Sequence, residues 1–299
     1  MSGESPAQVR VQASLSLDER THVLRFLEAA QRRDGARLDD HLASDLTHGP
    51  GPGFLAAIAT GPSGDVVGYA QSSQANDGVS VGCVAGDDAP LAAALLEHLV
   101  AAIPTDRSIT WWATDLDHAL AARLGLDPDR RLLHMRVPLP VAATTDVDVR
   151  PFRPGADDAT WLAVNNAAFA WHGEQGGWTL ATLQQRQQEP WFDPAGFLIH
   201  EREGRMAAFC WTKMHPDAVG EIYVIAVHPD FHGLGLGKAL TVAGLHSLHR
   251  AGATTAMLFV DADNTAAVGL YHHLGFVVDS AKQAYRRPDS PHLSQGSAP

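Results

Sequence analysis

Cysteine, basic side chains and long apolar runs are all scarce in this chain of 299 residues. The two cysteines, Cys83 and Cys210, lie in apolar runs typical of strands, which argues against a disulfide framework and favours a reducing compartment. No apolar run approaches the roughly 20 residues that a membrane span needs. The start, Met1-Ser-Gly-Glu-Ser-Pro, has no signal-peptide pattern. We therefore expect a cytoplasmic protein that does not associate with membranes.

Basic residues are outnumbered, with 22 Lys+Arg against 34 Asp+Glu and a formal net charge of −12. Without a basic stripe to neutralise phosphates, nucleic acid is not an expected partner. An excess of acid suits a cationic substrate such as an amine, although surface acid also serves solubility. The 16 histidines form no HExxH motif and no Cys/His cluster, so no metal is expected.

The most informative stretch lies between two apolar segments in the C-terminal half. The pattern predicts a buried strand over 221–227 and a helix over 239–249, with a glycine-rich loop between them. The loop has its glycines at 233, 235 and 237. Residues without Cβ atoms let backbone N–H groups converge beside a helix start, which indicates a phosphate or pyrophosphate site.

Two familiar phosphate loops do not match this stretch. A P-loop needs Lys-Ser/Thr after its last glycine, whereas Lys238 is followed by Ala239. A dinucleotide fingerprint has glycines at positions one, three and six and an acidic residue downstream, and neither condition is met. A plain glycine-rich turn remains an alternative on the loop alone.

A second segment supports a chemical role. The pattern predicts a strand over 255–260 and then a helix that Asn264 caps and Gly275 ends. Ala267 and Tyr271 are spaced i and i+4, so they share one face of that helix. A half-buried tyrosine that packs the helix onto the sheet is the alternative interpretation.

The two halves of the chain look like duplicates joined by a proline-punctuated linker. We predict an N-terminal domain over 1–140, a C-terminal domain over 146–290 and a disordered tail over 291–299. In the first copy an acidic stretch over 84–90 replaces the glycine loop, and Ala121 stands at the position of Tyr271. The first domain is therefore expected to be degenerate and non-catalytic.

The loop from His232 to Gly237 and the string from Asn264 to Phe276 resemble the GNAT acyl-CoA N-acyltransferases. Five further strings resemble the mycothiol synthase family, whose members are tandem GNAT enzymes; they span 165–169, 174–179, 191–194, 211–213 and 220–223. The resemblance implies an α/β (α+β) fold with two tandem GNAT-like domains, each a mixed, mostly antiparallel central sheet flanked by helices. It also implies acetylation of the cysteinyl amine of cysteinyl-glucosaminyl-inositol, the last step of mycothiol biosynthesis, by direct transfer from acetyl-CoA in a ternary complex.

The resemblance also implies roles for individual residues. Glu221 corresponds to the base that takes a proton from the amine, and Tyr271 to the acid that protonates the departing thiolate. Coenzyme A would be held by Ile225, Ala226, Val227, His232, Gly233, Leu234, Gly235, Leu236, Gly237, Lys238, Asn264, Thr265, Ala266, Ala267, Val268 and Gly269. The substrate would be contacted by Asp40, Glu174, Lys213, Glu221 and Phe259.

Four positions depart from the family pattern: His232 replaces Gln or Arg, Phe259 replaces a tyrosine, Asp261 replaces a glutamate, and Gly173 replaces a proline before Glu174. These departures bear on affinity rather than on the reaction class. We expect a monomer with a small-molecule substrate and no metal. The alternatives are a GNAT enzyme for another amine, such as a protein N-terminus, a polyamine or an aminoglycoside, and a non-enzymatic CoA-sensing module.

Overall fold

The computed structural model of the chain describes residues 7–75, 78–113, 118–170 and 175–287. The helices are α1 Leu17–Asp34, α2 Asp40–His48, α3 Ala89–Ala102, α4 His118–Arg123, α5 Asp158–Ala168, α6 Leu180–Gln187, α7 Leu236–Arg250 and α8 Thr265–His273. The strands are β1 Gln8–Gln12, β2 Leu55–Thr60, β3 Val66–Ala75, β4 Gly78–Val84, β5 Ile109–Ala113, β6 Asp127–Pro138, β7 Arg150–Pro151, β8 Phe197–Arg202, β9 Arg205–His215, β10 Val219–Val227, β11 Thr255–Asp261 and β12 Val277–Arg287. Short 3-10 turns cover Pro194–Gly196 and Pro229–Phe231.

The chain forms two compact units that do not follow chain order. The first contains Met1–Asp129 together with Gln283–Pro299, and the second contains Arg130–Lys282. Strand β6, from the end of the predicted first domain, pairs with β11, while β12 pairs with β5 from Gln283 onward. The compact units thus divide the chain at other residues than the predicted domains, 1–140 and 146–290, and those domain boundaries stay predictions.

The sheet of the first unit has the strand order β1-β2-β3-β4-β5-β12. Its pairs are antiparallel except for β4 and β5, which run parallel where Val79, Ser80 and Val81 pair with 109–111. Helix α3 packs on β1, β2 and β3, and helices α1 and α2 pack on β3. Two apolar clusters follow from this layering, one centred on α3 and the other on α1 and α2.

The sheet of the second unit has the order β12-β6-β11-β10-β9-β8-β7, with β12 contributing its residues up to Lys282. Its central pair, β10 and β11, is parallel, whereas β11 pairs antiparallel with β6 and β10 antiparallel with β9. Helix α5 covers one face over a cluster that includes Trp161 and Trp211. Helix α7 covers the other face over Leu240 and Leu248.

Helix α7 lies unusually close to the sheet because Gly244 faces it. A Cβ at Gly244 would stand 2.5 Å from the sulfur of Cys210 and 2.8 Å from Ile222 Cδ1. Only a residue without a side chain permits this approach. The glycine therefore sets the depth at which α7 rests on β9 and β10.

Both units show the predicted architecture of mixed, mostly antiparallel sheets flanked by helices, so the fold-class prediction is confirmed. Within the described ranges, no helix combines the length and the apolar character that crossing a membrane requires.

Candidate active site

The two central strands of the second unit separate in the middle of the sheet. Strands β10 and β11 pair only where Val219, Gly220 and Glu221 stand opposite 255–257. Strand β10 then continues to Val227, hydrogen-bonded to β9 on its other side. Every second backbone N–H and C=O group in this downstream part of β10 therefore points into the gap rather than to a neighbouring strand. Such an edge can bind an extended ligand through the backbone.

The glycine-rich loop follows β10 after the short 3-10 turn Pro229–Phe231 and leads into α7. Gly233 and Gly235 have φ angles of +80° and +74°, in the left-handed region that favours glycine. Gly235 caps α7, which starts at Leu236, somewhat earlier than the predicted 239. Apart from the adjacent residues and the backbone of α7 itself, no heavy atom lies within 4 Å of a Cβ built on Gly233, Gly235 or Gly237. The start of the helix is thus open to a group that would accept hydrogen bonds from its free N–H groups.

Strand end, loop and the start of α8 enclose one cavity of about 450 Å³. This volume lies within the range of about 300–1,000 Å³ that is typical of small-molecule sites. Of the predicted cofactor residues, those that line it are Ile225, Ala226, Val227, His232, Gly233, Gly235, Leu236, Gly237, Asn264, Ala266 and Ala267. The predicted residues that do not line it are Leu234, Lys238, Thr265, Val268 and Gly269.

Three lining residues were not predicted from the sequence: Phe231, Thr241 and Leu270. Thr241 lies one helical turn after Gly237 and donates a hydrogen bond to its carbonyl, with a distance of 2.7 Å between Oγ1 and O. Leu270 directly precedes Tyr271. Both residues lie one helical turn after a predicted cofactor residue, so the helical spacing would have found them.

Side chains at the loop hold its geometry. The Nε2 atom of His232 lies 3.1 Å from the carbonyl oxygen of Val227, so the imidazole ties the loop to the end of β10. The Nζ atom of Lys238 lies 3.3 Å from Nε2 of His273, at the end of α8. These two contacts link the loop to the strand before it and to the helix beyond it.

Tyr271 lines the cavity from α8 and is almost completely buried. The predicted cap of this helix is confirmed, because Asn264 Oδ1 accepts a hydrogen bond from the N–H of Ala267 at 3.2 Å. Burial, with a smaller contribution from Cys210, raises the pKa of Tyr271 far above its ordinary value. The hydroxyl therefore stays protonated at neutral pH and can serve as a proton donor.

Glu221 stands at the last paired position of β10 and is also almost completely buried. Its Oε2 atom lies 2.6 Å from Nε2 of His215, a residue that the sequence prediction missed. Glu221 does not line the cavity. It lies upstream of Ile225 on the same strand, at a distance of roughly 13 Å estimated from the rise of about 3.3 Å per residue.

The predicted substrate residue Lys213 is the neighbour of Glu221 on β9. Its Nζ atom lies 4.6 Å from the centre of the Trp191 ring and 5.6 Å from that of Tyr223, which are favourable cation–π distances. Phe259, on β11, is 38% exposed and stacks on His134 with ring centres 4.9 Å apart.

Two predicted substrate residues cannot be compared with these. Asp40 is the first residue of α2 in the first unit, and its side chain lies outside the described part. Glu174 also lies outside the described residues. Their predicted roles stay predictions.

Two asparagines of α5 hold the segment that follows this helix. Asn165 is fully buried, and its Nδ2 donates to the carbonyl of Gln175 at 2.9 Å. Asn166 bonds both the N–H and the carbonyl of Trp178. The structure thus uses both asparagine amides to hold the loop.

The corresponding loop of the first unit is filled by the protein itself. The carboxylate of Asp88 accepts a hydrogen bond from the N–H of Leu91 at the start of α3. A Cβ built on Gly86 would lie 3.0 Å from a guanidinium nitrogen of Arg33. Ala121, at the position that matches Tyr271, is buried and has no proton to donate. This loop offers no open helix start comparable to that beside Gly237.

Comparisons with known proteins agree with the resemblance that the sequence motifs indicate. The sequence profile of the acetyltransferase (GNAT) family matches residues 165–276. The mycothiol acetyltransferase of Thermomonospora curvata is 41% identical over 290 residues, covering 91% of this chain and 94% of that protein. The mycothiol acetyltransferase of Streptomyces coelicolor is 40% identical over 307 residues, covering 94% of this chain and 96% of that protein.

Solved structures share the fold at lower sequence identity. A GCN5-related N-acetyltransferase from Sphaerobacter thermophilus superposes with a TM-score of 0.66 at 21% identity, covering 95% of this chain and 96% of that one. A tandem GNAT protein from the clavulanic acid biosynthesis pathway superposes with a TM-score of 0.68 at 15% identity, covering 95% and 99%. Among the described residues, no group of three or more His, Cys, Asp or Glu side chains is arranged to hold a metal ion.

Proposed function

Because the chain belongs to the mycothiol acetyltransferase family of GNAT enzymes, we propose that it completes mycothiol by acetylating the cysteinyl amine of cysteinyl-glucosaminyl-inositol. The acetyl donor in this proposal is acetyl-CoA, which supplies an activated thioester. The observation that carries the proposal is the cavity in which a separated strand edge, an open glycine loop and a buried tyrosine meet.

The residues present fit coenzyme A. The open start of α7 beside Gly233, Gly235 and Gly237 offers N–H donors to a diphosphate, where any Cβ would occupy the space. The free edge of β10 offers backbone groups to the amide-bearing pantetheine arm. Backbone N–H groups on that edge would also stabilise negative charge on the thioester oxygen during transfer.

Glu221 and Tyr271 would divide the proton transfers between them. The substrate amine has a reference pKa of about 8, so Glu221 needs to remove one proton from a group that is already partly deprotonated at neutral pH. Tyr271 would donate a proton to the departing sulfur. Its raised pKa keeps the hydroxyl protonated until that step. Each of these roles is worth about 10²–10⁴ in rate.

Substrate contacts remain part of the proposal. Lys213 carries a fixed cation beside Glu221 and would bind an oxygen of the substrate. Phe259 presents a half-exposed ring suited to the apolar face of a sugar. Asp40 and Glu174 would supply acceptors for hydroxyl groups.

The test is release of free thiol from acetyl-CoA by the purified full-length chain with a panel of amines. The panel contains cysteinyl-glucosaminyl-inositol, spermidine, an aminoglycoside and a peptide with a free N-terminus. We expect turnover with the first compound at a kcat/KM at least about 100-fold above the others, a margin of about 2.7 kcal/mol. Preference for another amine would mean that this amine, and not cysteinyl-glucosaminyl-inositol, is the substrate. Binding of acetyl-CoA without any turnover would favour the CoA-sensing alternative.

A further inference from the structure

His215, which forms a close pair with Glu221, has no part in the roles assigned above. Their Nε2 and Oε2 atoms lie 2.6 Å apart, and the side chains are only 13% and 9% exposed. We propose that His215 is a positioning residue for Glu221: its imidazole N–H holds one carboxylate oxygen and turns the other toward the amine. This inference rests on the proposed function, because it assumes that Glu221 is the base.

The pairing of β9 with β10 brings the two side chains together. Lys213 stands opposite Glu221, and His215 stands opposite Val219. Alternate residues of a strand share a face, so His215 and Glu221 are diagonal neighbours on the same side of the sheet. Diagonal Cβ atoms are within reach of an imidazole and a glutamate side chain, which closes the contact without distortion.

The side chain of Glu221 has three rotatable bonds, so without such a contact its carboxylate could adopt many orientations. Hydrogen bonds to charged groups are short and stronger than neutral ones, so the imidazole selects one rotamer of Glu221. The proton transfer then balances simply: an N–H bond of the substrate ammonium breaks, and an O–H bond forms at Oε1 of Glu221. The proton later leaves to water, while the hydrogen bond from His215 to Oε2 persists throughout.

The other charged groups near the pair are mostly basic. Lys213 lies on β9, and His134 and Arg136 lie on β6, on the far side of β11. Asp279 of β12 is 3.2 Å from Nδ1 of His134, and it partly offsets the burial that lowers the pKa of that imidazole. On strand β11, the residue opposite Glu221 is Met257, which carries no charge.

Helix α5 packs on β9 and β10 from the side of the pair. Its buried carboxylate, Asp158, accepts hydrogen bonds from the N–H of Gly155 and from Gln187. Asp158 is thus bonded to other donors, and the carboxylate that bonds His215 is that of Glu221.

Two substitutions of His215 separate its possible roles. His215→Gln keeps an N–H donor near the place of Nε2 but cannot take up a proton. His215→Ala removes the donor. His200→Gln is the matched control, because His200 is a strand histidine of the same unit whose Nδ1 bonds the carbonyl of Asp148. For each full-length variant, kcat and KM for both substrates are measured from about pH 6 to about pH 9, where imidazole and amine titrate.

We expect His215→Ala to lower kcat about 10- to 100-fold, since a misdirected base forfeits part of its contribution, while KM for acetyl-CoA stays unchanged. His215→Gln should recover most of the activity, because its amide restores an N–H donor to Glu221. His200→Gln should match the wild type. If His215 only supported the fold, both variants would lose activity equally at every pH, and that result would overturn the proposal.

The pair can also be examined without turnover. In the proton NMR spectrum, a short imidazole N–H bond gives a low-field resonance, which we expect in the wild type and in His200→Gln. Glu221→Gln should remove this resonance. A wild type that acetylates no amine but keeps the resonance would overturn the proposed function and leave the pairing intact. An active wild type without the resonance would overturn the positioning role alone.

Discussion

Tyr271 combines two properties that rarely occur together at a protein surface: it lines a cavity, and it is almost completely buried. Burial raises its pKa because the charged phenolate would be poorly solvated. Burial thus keeps the hydroxyl protonated, as the proposed donation to a developing thiolate requires. In the proposed mechanism, the role of Tyr271 depends on its surroundings as much as on its phenol group.

Tyr271→Phe should lower kcat about 10²- to 10⁴-fold and leave binding of acetyl-CoA nearly unchanged, because only the proton donor is removed. The control is Tyr69→Phe, which removes a buried hydroxyl from the first unit, where it bonds Gln71. Steady-state thiol release and calorimetric binding of acetyl-CoA provide the measurements. Full activity of Tyr271→Phe would exclude the tyrosine from the chemistry.

Asp157 illustrates how a single carboxylate makes stability depend on pH. Its side chain is 6% exposed and bonds Arg150 at 2.7 Å and Arg153 at 3.1 Å. Burial alone would raise its pKa, but the hydrogen bonds from the two arginines outweigh burial and lower the pKa to about 2. Because the pKa is lower in the folded protein, the ionised carboxylate stabilises the fold at pH values above the ordinary pKa of aspartate. This stabilisation is lost as the pH falls toward 2.

Asp157→Asn should therefore reduce the free energy of unfolding by about 2 kcal/mol at neutral pH, with a difference that narrows as the pH approaches 3. Urea denaturation at several pH values measures this. The exposed Asp263→Asn in the same unit is the control and should change little. A deficit for Asp157→Asn that stayed constant down to the acidic end would show that packing, and not charge, is responsible.

The start of α7 shows what a segment contributes beyond its side chains. Gly237 is already helical and has open space where a Cβ would stand. The protein therefore keeps glycine at a position where alanine would be the better helix former by up to about 1 kcal/mol. We attribute this choice to the ligand, whose phosphates would occupy the space of the missing methyl group.

Gly237→Ala should accordingly weaken acetyl-CoA binding at least about tenfold, or about 1.4 kcal/mol, while thermal stability stays equal or rises. Calorimetric titration and a melting curve on the same sample separate the two effects. Unchanged affinity would place the diphosphate elsewhere. A fall in melting temperature would mean that the methyl group strains the loop and would remove the variant as a test.

The exchange of strands between the halves of the chain decides which fragments can fold. Strand β11 of the second unit pairs along 132–138 with β6, which comes from the first half of the sequence. A fragment over 146–290 would contain the loop, Glu221 and Tyr271 but would leave one edge of β11 unpaired. Exposed strand edges are prone to misfolding and aggregation.

We therefore expect the 146–290 fragment to be insoluble or inactive, whereas a fragment that starts at 127 should fold more readily. Solubility, circular dichroism and binding of acetyl-CoA compare the two. Full binding by the shorter fragment would show that β6 is dispensable. A matched fragment that starts at 139, directly after β6, controls for the effect of added length.

Local patterns in the sequence were sufficient for much of the site. Glycine spacing located the loop, and helical spacing placed Asn264, Ala267 and Tyr271 along one helix, because these features depend on residues that are close in the chain. Apolar runs located the strands, and the resemblance to a known family predicted the mixed and mostly antiparallel sheets. The family assignment followed from the same motifs.

Only the tertiary structure showed which strands are neighbours. The pairing of β6 with β11 and of β12 with β5, the separation of β10 from β11 beyond Glu221, and the contact of His215 with Glu221 all depend on register between distant segments. A strand carries the same alternation whichever partner it takes, so its sequence leaves that choice open. Packing of the whole chain makes the choice, since it alone decides which apolar faces are buried together.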